Sequence, residues 1–140
     1  MKRLGIYFFF DKDGIVDKYI DYVLEDLTKH VDKLIVVCNG QLNERGRKTF
    51  EKFTGNIIVR ENKGFDVWAY KTAIDSEGWN KLIEYDEIIL MNYTIMGPVY
   101  PLKEMFDIMD KRLELDFWGI TKCFQENSPV AQQIWQCPYG

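Results

Sequence analysis

The sequence predicts an α/β fold, a mostly parallel sheet of about five strands flanked by helices. Three observations point there. Short apolar runs recur along the 140 residues and alternate with segments whose apolar residues fall at helical spacing. The runs are apolar throughout rather than at every second position, the pattern of strands buried on both faces. Helices lying between such strands supply the crossovers that a parallel sheet needs, right-handed by the usual chain geometry.

Taken in order, residues 4–10 form the first strand. Over 15–29, Val16, Tyr19, Ile20, Val23 and Leu27 recur at helical spacing and predict a helix. KLIVVCN (33–39) is the second strand, and NGQLNERG leads from it into a short helix ending near Phe53. NIIVRE (56–61) is the third. NKG then opens onto a helix starting near Asp66, a residue type that caps helices well, and Gly78 bends or ends that helix. EIILMN (87–92) is the fourth strand. Pro101 suits the first turn of another helix, with Leu102, Met105, Phe106 and Met109 as its apolar stripe. DFWGIT (116–121) is the fifth strand, and the tail to Gly140 shows no period.

This length suits one domain over 1–140 with a real core. With 18 basic against 22 acidic residues and a net charge of −4, no basic stripe marks a nucleic-acid binder. No apolar run is long enough to span a bilayer, and the N-terminus lacks the cleavage site of a signal peptide, so a cytoplasmic protein is expected. Cys38, Cys123 and Cys137 have no metal-ligand spacing and read as reduced thiols. His30 is the only histidine, which excludes a multi-histidine metal site; at the end of a helix it reads as a partner of the helix dipole.

Ligands of such sheets bind at the carboxyl ends of the strands, which directs attention to loops 11–14, 39–43, 61–66 and 92–98. FFFDKDG (8–14) resembles the opening of a haloacid-dehalogenase-type phosphatase, with Asp11 as nucleophile and Asp13 as acid/base. The later strand ends, however, carry Cys38 where that chemistry wants a hydroxyl and no carboxylate pair after the fourth strand. A response-regulator receiver would place Asp11, Asp13 and Lys122 well, but the third strand ends VREN, without the phosphoacceptor Asp. What remains is a strand with Asp11 at its carboxyl edge and Asp13 as a helix cap.

The loop after the third strand is the most informative. Gly64 permits positive φ and close approach of a ligand; Asp66 caps a helix whose N-terminus faces the strand ends; Arg60 and Lys63 add positive charge. Two readings stand: a diphosphate site, or a tight turn with a cap and a surface ion pair at Arg60. Trp68 either narrows the pocket and stacks on a sugar or base, or packs in the core. Met91, Met96, Met105 and Met109 read as core, and Glu84, Asp86 and Glu87 as a solvated loop.

DYVLEDLTKHVDKLIVVCNG, VRENKGFDVWAY, YDEIILMNYTIMGPVYPLKEMFDIM and DFWGITK together resemble the rhamnan synthesis protein F family over most of residues 4–122. The resemblance implies a Rossmann-like, GT-A-type glycosyltransferase of bacterial polysaccharide assembly. Its donor would be a nucleotide sugar such as dTDP-rhamnose. Its acceptor would be a growing glycan, often lipid-linked, at the inner face of the membrane. It places Asn62, Gly64 and Asp66 in the donor loop near Arg60, makes Asp11 a base or ribose contact at the edge bordering the nucleotide, and puts Asn92-Tyr93-Thr94 in the slot of a D-x-D element that holds magnesium or manganese. Asn92 and Thr94 are neutral, so the metal is weak, completed from elsewhere, or not used, and the two residues hydrogen-bond the sugar instead. The catalytic base is unassigned, since Glu126 is the only acid beyond Lys122. The expectation is a nucleotide-sugar half of a longer protein; the other class is a non-catalytic binding or scaffold module.

Overall fold

The computed structural model describes residues 1–120. Two compact units divide the chain, Met1–Phe106 and Asp107–Gly140. The first holds a four-stranded, all-parallel sheet in the order β3-β2-β1-β4. Its elements are β1 (Arg3–Asp11), α1 (Lys18–Leu27), β2 (Lys33–Gly40), α2 (Glu44–Glu51), β3 (Ile57–Arg60), α3 (Phe65–Glu77), α4 (Trp79–Leu82) and β4 (Glu87–Asn92). Helix α5 (Leu102–Met109) runs out of the first unit into the second.

Period-two alternation along β1 and β2 divides the core in two. Tyr7, Phe9, Leu34, Val36 and Cys38 face α1 and α2 and pack with Ile20, Val23, Leu24, Leu27 and Phe50. Leu4, Ile6, Phe8, Ile35 and Val37 face the other way and pack with Ala69, Ala73 and Leu82 of α3 and α4. Both faces of the two central strands are therefore covered, which is why their sequences are apolar without alternation. β4 differs: Leu90, on the α3 face, stays 52% exposed while Met91, on the α1 face, is buried.

The ends of the helices show how local chemistry sets the boundaries. Asn43 caps α2 by accepting from Gly46 N at 2.7 Å. Helix α1 takes Asp17 as its N-cap residue, so Asp13 is not the cap. Gly78 ends α3. Pro101 stands just before α5, whose first N–H, that of Leu102, donates to Asp26 Oδ2 at 2.7 Å. The stripe of α5 holds, with Phe106 and Met109 buried. His30 lies beyond the Thr28 C-cap of α1, with its ring 5.1 Å from that of Phe106, so it serves packing rather than the helix end.

In the second unit the described residues continue α5 into turns, with Arg112 N donating to Met109 O at 2.9 Å and Leu115 N to Arg112 O at 3.1 Å. The fifth strand expected at 116–121 is not formed over 116–120, and 121 lies outside the described residues. The run is short, interrupted by Gly119, and exposed at Phe117 and Ile120, whereas an interior parallel strand needs cover on both faces. Cys123, Cys137, Lys122 and Glu126 also lie outside the described residues.

At the amino edge of the sheet, the acidic cluster is not merely solvated. Lys2 pairs with Glu84 at 3.0 Å, Arg3 with Glu87 at 2.5 Å, and Lys2 N donates to Asp86 Oδ2 at 2.6 Å. These contacts fasten the first residues of β1 to the start of β4.

Candidate functional site

All four strands run the same way, so Asp11, Asn39 and Gly40, Arg60, and Asn92 share one edge. The chain order reverses between β1 and β4, which makes their carboxyl ends the switch point where open α/β sheets bind ligands. Register and alternation sort the edge further. Phe10, Asn39 and Arg60 lie side by side on the α3 face, and Asn92 pairs with Phe8 on that same face. Asp11 pairs with Gly40 and falls on the α1 face.

The α3 face carries a connected polar network. Arg60 Nη1 donates to Asn39 Oδ1 at 2.7 Å. Asn39 Nδ2 donates to the Phe65 carbonyl at 3.0 Å and to Asn62 Oδ1 at 3.4 Å. Asn92 Nδ2 donates to Asp66 Oδ2 at 3.2 Å, and Asn92 Oδ1 accepts from Thr94 N at 3.0 Å. Five of the residues expected at the site, Arg60, Asn62, Asp66, Asn92 and Thr94, thus sit in two adjoining clusters joined by the start of α3.

Gly64 supplies the turn between them. It is the N-cap residue of α3 at φ +74°, followed by Phe65 at φ +54°. Asp66 is therefore not the cap but the second residue of the helix, its Oδ1 accepting from Val67 N at 2.9 Å. Trp68 is not a core residue. It is 53% exposed and lies across Gly64, so close that a Cβ at Gly64 would meet its Cγ at 2.3 Å. Phe65 and Val67 are also exposed, giving the start of α3 an apolar outer surface. Met96, in the loop after β4, is exposed as well, not core.

Asp11 has a different job. Its Oδ1 accepts from Asp13 N at 2.9 Å and Ile15 N at 2.8 Å, closing the KDG turn around itself. Gly14, at φ +68°, then passes against the loop before α2: Asn43 N donates to Gly14 O at 3.1 Å, and a Cβ on Gly14 would meet backbone at 2.8 Å. The turn is set by backbone contacts that only glycine allows. Tyr93 anchors the other wall: its N donates to Phe8 O at 3.0 Å, its carbonyl accepts from Tyr19 Oη at 2.7 Å, and its ring meets Phe8 and Phe9 edge-on.

The basic residues at the two edges differ in their partners. Lys2, Arg3 and Lys33 at the amino edge are all in ion pairs. At the carboxyl edge, Lys12, Arg60 and Lys63 form no ion pair among the described residues, so the surface-pair reading of Arg60 does not hold. A half-buried guanidinium whose partner is a neutral amide keeps its whole positive charge available. Tyr70, close to Asp66, has its phenol pushed up to about 12 by burial and then by that carboxylate, so it stays neutral. Burial pushes the Cys38 thiol up to about 12, which removes it as a nucleophile.

The residues in the D-x-D slot do not fit a divalent cation. Asn92 and Thr94 are neutral, and Asp66, bonded to the Asn92 amide, is the one carboxylate in their hydrogen-bond network. No three His, Cys, Asp or Glu side chains group as metal ligands among the described residues. A hard cation needs several free oxygens, carboxylates among them.

Asn39 is the site residue that motif reasoning passed over. The signal was present: a polar residue closing an otherwise apolar strand at the ligand edge must find buried partners.

A family model described as rhamnan synthesis protein F matches residues 34–135, well over half of the chain. The match takes in β2 to β4, the Arg60–Asp66 turn and the Asn92–Thr94 slot. No curated protein and no solved structure matches the chain.

Proposed function

Because this chain belongs to the rhamnan synthesis protein F family, we propose that it is the nucleotide-sugar-binding part of a glycosyltransferase of cell-surface polysaccharide synthesis. The donor in this reading is an activated deoxyhexose of the dTDP-rhamnose type. The acceptor is a growing glycan, carried on a lipid at the inner face of the membrane. Among the described residues no helix is long and apolar enough to cross a membrane.

The observation that carries the reading is Arg60, a guanidinium with no ion pair among the described residues, held by Asn39 beside the Gly64–Phe65 turn and the N-terminus of a 13-residue helix. Fixed positive charge next to unsatisfied helix N–H groups is what a diphosphate requires. The diphosphate lies over the ends of β2 and β3, with Lys63 at its rim. The ribose reaches Asp11, whose Oδ2 is left by the turn that uses Oδ1. The sugar lies toward the β1–β4 switch point, where Thr94 and the Asn92 amide offer hydrogen bonds. As the glycosidic bond to the diphosphate breaks, the negative charge on the departing diphosphate grows, and Arg60 and the α3 N-terminus stabilise it without reorganising. No step is routed through a metal ion.

A second reading, a non-catalytic sugar-nucleotide module, draws on the D-x-D slot, where Asn92 and Thr94 are neutral and the Asn92 amide is bonded to Asp66 and to the Thr94 backbone N–H. The two are separated by one experiment. Thermal shift and calorimetry with dTDP- and UDP-sugars, with and without manganese, should show binding that chelation leaves intact. Arg60→Ala should weaken it by about tenfold or more, the loss of one charge-assisted hydrogen bond. Stabilisation with neither hydrolysis nor transfer selects the module. No response to any nucleotide sinks the donor site in both forms.

A further inference from the structure

We propose that Asn39 is the positioning residue of this site: one buried, neutral amide aims the Arg60 guanidinium and sets the left-handed turn before α3 in register with it. The inference rests on the donor-binding reading above and adds to it a residue that no motif names.

Asn39 is 0% exposed and stands one residue from the end of β2, between Phe10 of β1 and Arg60 of β3. A buried amide must satisfy an acceptor and two donors, and every contact made here points at the site. The oxygen accepts from Arg60 Nη1 at 2.7 Å; the nitrogen donates to Phe65 O at 3.0 Å and Asn62 Oδ1 at 3.4 Å. Phe65 carries a side chain at φ +54°, a conformation that L-residues resist and that persists where its surroundings hold it. The Asn39 amide is what grips its carbonyl. Three backbone segments, the ends of β2 and β3 and the start of α3, are thereby keyed to one side chain.

Neutrality is the chemical point. A carboxylate in this place would orient the guanidinium equally well but cancel the charge that an anionic ligand needs. The amide orients without neutralising. Arg60 is consequently both fixed and fully charged, the combination that preorganised phosphate binding requires.

The test compares ligands that do and do not carry the diphosphate. In the full chain, Asn39→Asp should lower affinity for dTDP by about tenfold or more and leave affinity for thymidine unchanged. Equal losses for dTDP and thymidine would mark Asn39 as merely structural and overturn the proposal. So would a wild-type affinity for dTDP in Asn39→Asp while Arg60→Ala has lost it, an outcome that keeps the donor site. If Arg60→Ala itself binds dTDP normally, the donor-site reading falls instead. Should Asn39→Asp fail to fold, the unmodified protein still decides. The side-chain ¹⁵N signals of Arg60 should show hindered guanidinium rotation before ligand is added and shift with dTDP but not thymidine. Free rotation would refute the assignment.

Discussion

At Gly64 the backbone holds φ +74°, and a Cβ placed there would sit 2.3 Å from Trp68 Cγ. Gly64→Ala should therefore destabilise the first unit by about 1–2 kcal/mol, the cost of a side chain in the left-handed region, and displace the indole. Urea denaturation and Trp68 emission measure the two effects; an alanine variant as stable as the parent would contradict the turn. Single residues divide sharply in how far the sequence discloses them. The turn at Gly64 was legible because a glycine between a strand and a helix has few other reasons to be there, whereas Asn62 was singled out only through the family resemblance. Trp68 was not, because an indole inside a helix is ordinarily buried, and only the close approach to Gly64 turns it outward. Asp66 resembled a cap by type and place, but the left-handed residues Gly64 and Phe65 ahead of it put the cap two positions earlier, at Gly64. Asn39 escaped since its role depends on partners 21, 23 and 26 residues away.

Helix α3 ends in a small electrostatic joint that ties three elements together. Glu77, its last residue, has a 5% exposed side chain, accepts from Lys33 Nζ at 2.5 Å and from Tyr85 Oη at 2.9 Å. The hydrogen bond from Lys33 holds the Glu77 carboxyl below its ordinary 4.5, with that from Tyr85 adding to it. A lowered folded value means that the joint stabilises the protein above about that pH and that the benefit fades as acid carries the solution down through the folded value. Glu77→Gln should cost about 2 kcal/mol near neutrality, and the gap to the parent should narrow as pH falls below 4.5. Denaturation midpoints measured from pH 7 to 3 check it, and a constant gap would refute it. Elements were far more legible than residues. Each of the four strands was foreseen to within a residue or so, and in β1 and β2 the reason is burial on both faces, which imposes unbroken apolar runs. The same rule over-reached at 116–120, where four apolar or small residues imitate a strand without cover.

Across the first unit, β1 and β2 are the best protected part, flanked by strands on both sides and by helices on both faces. Their amides should be the last to exchange with deuterium, after those of β3, whose four residues are all at least partly exposed, and of β4. Exchange in β4 as slow as in β1 would show that its exposed face is covered in solution. Topology was legible only to the level of a parallel sheet; the order β3-β2-β1-β4, and with it the switch point, rests on pairings that no local pattern encodes. That order has a consequence for how the protein is made. On the ribosome, Arg3 meets its β2-side partner Asp32 after 29 residues, but its β4-side partner Glu87 only after 84. The nascent chain can thus assemble the Arg60 half of the edge early, while the wall bearing Asn92 is the last to arrive. Until it does, one flank of β1 is bare, and the switch point between β1 and β4 does not yet exist.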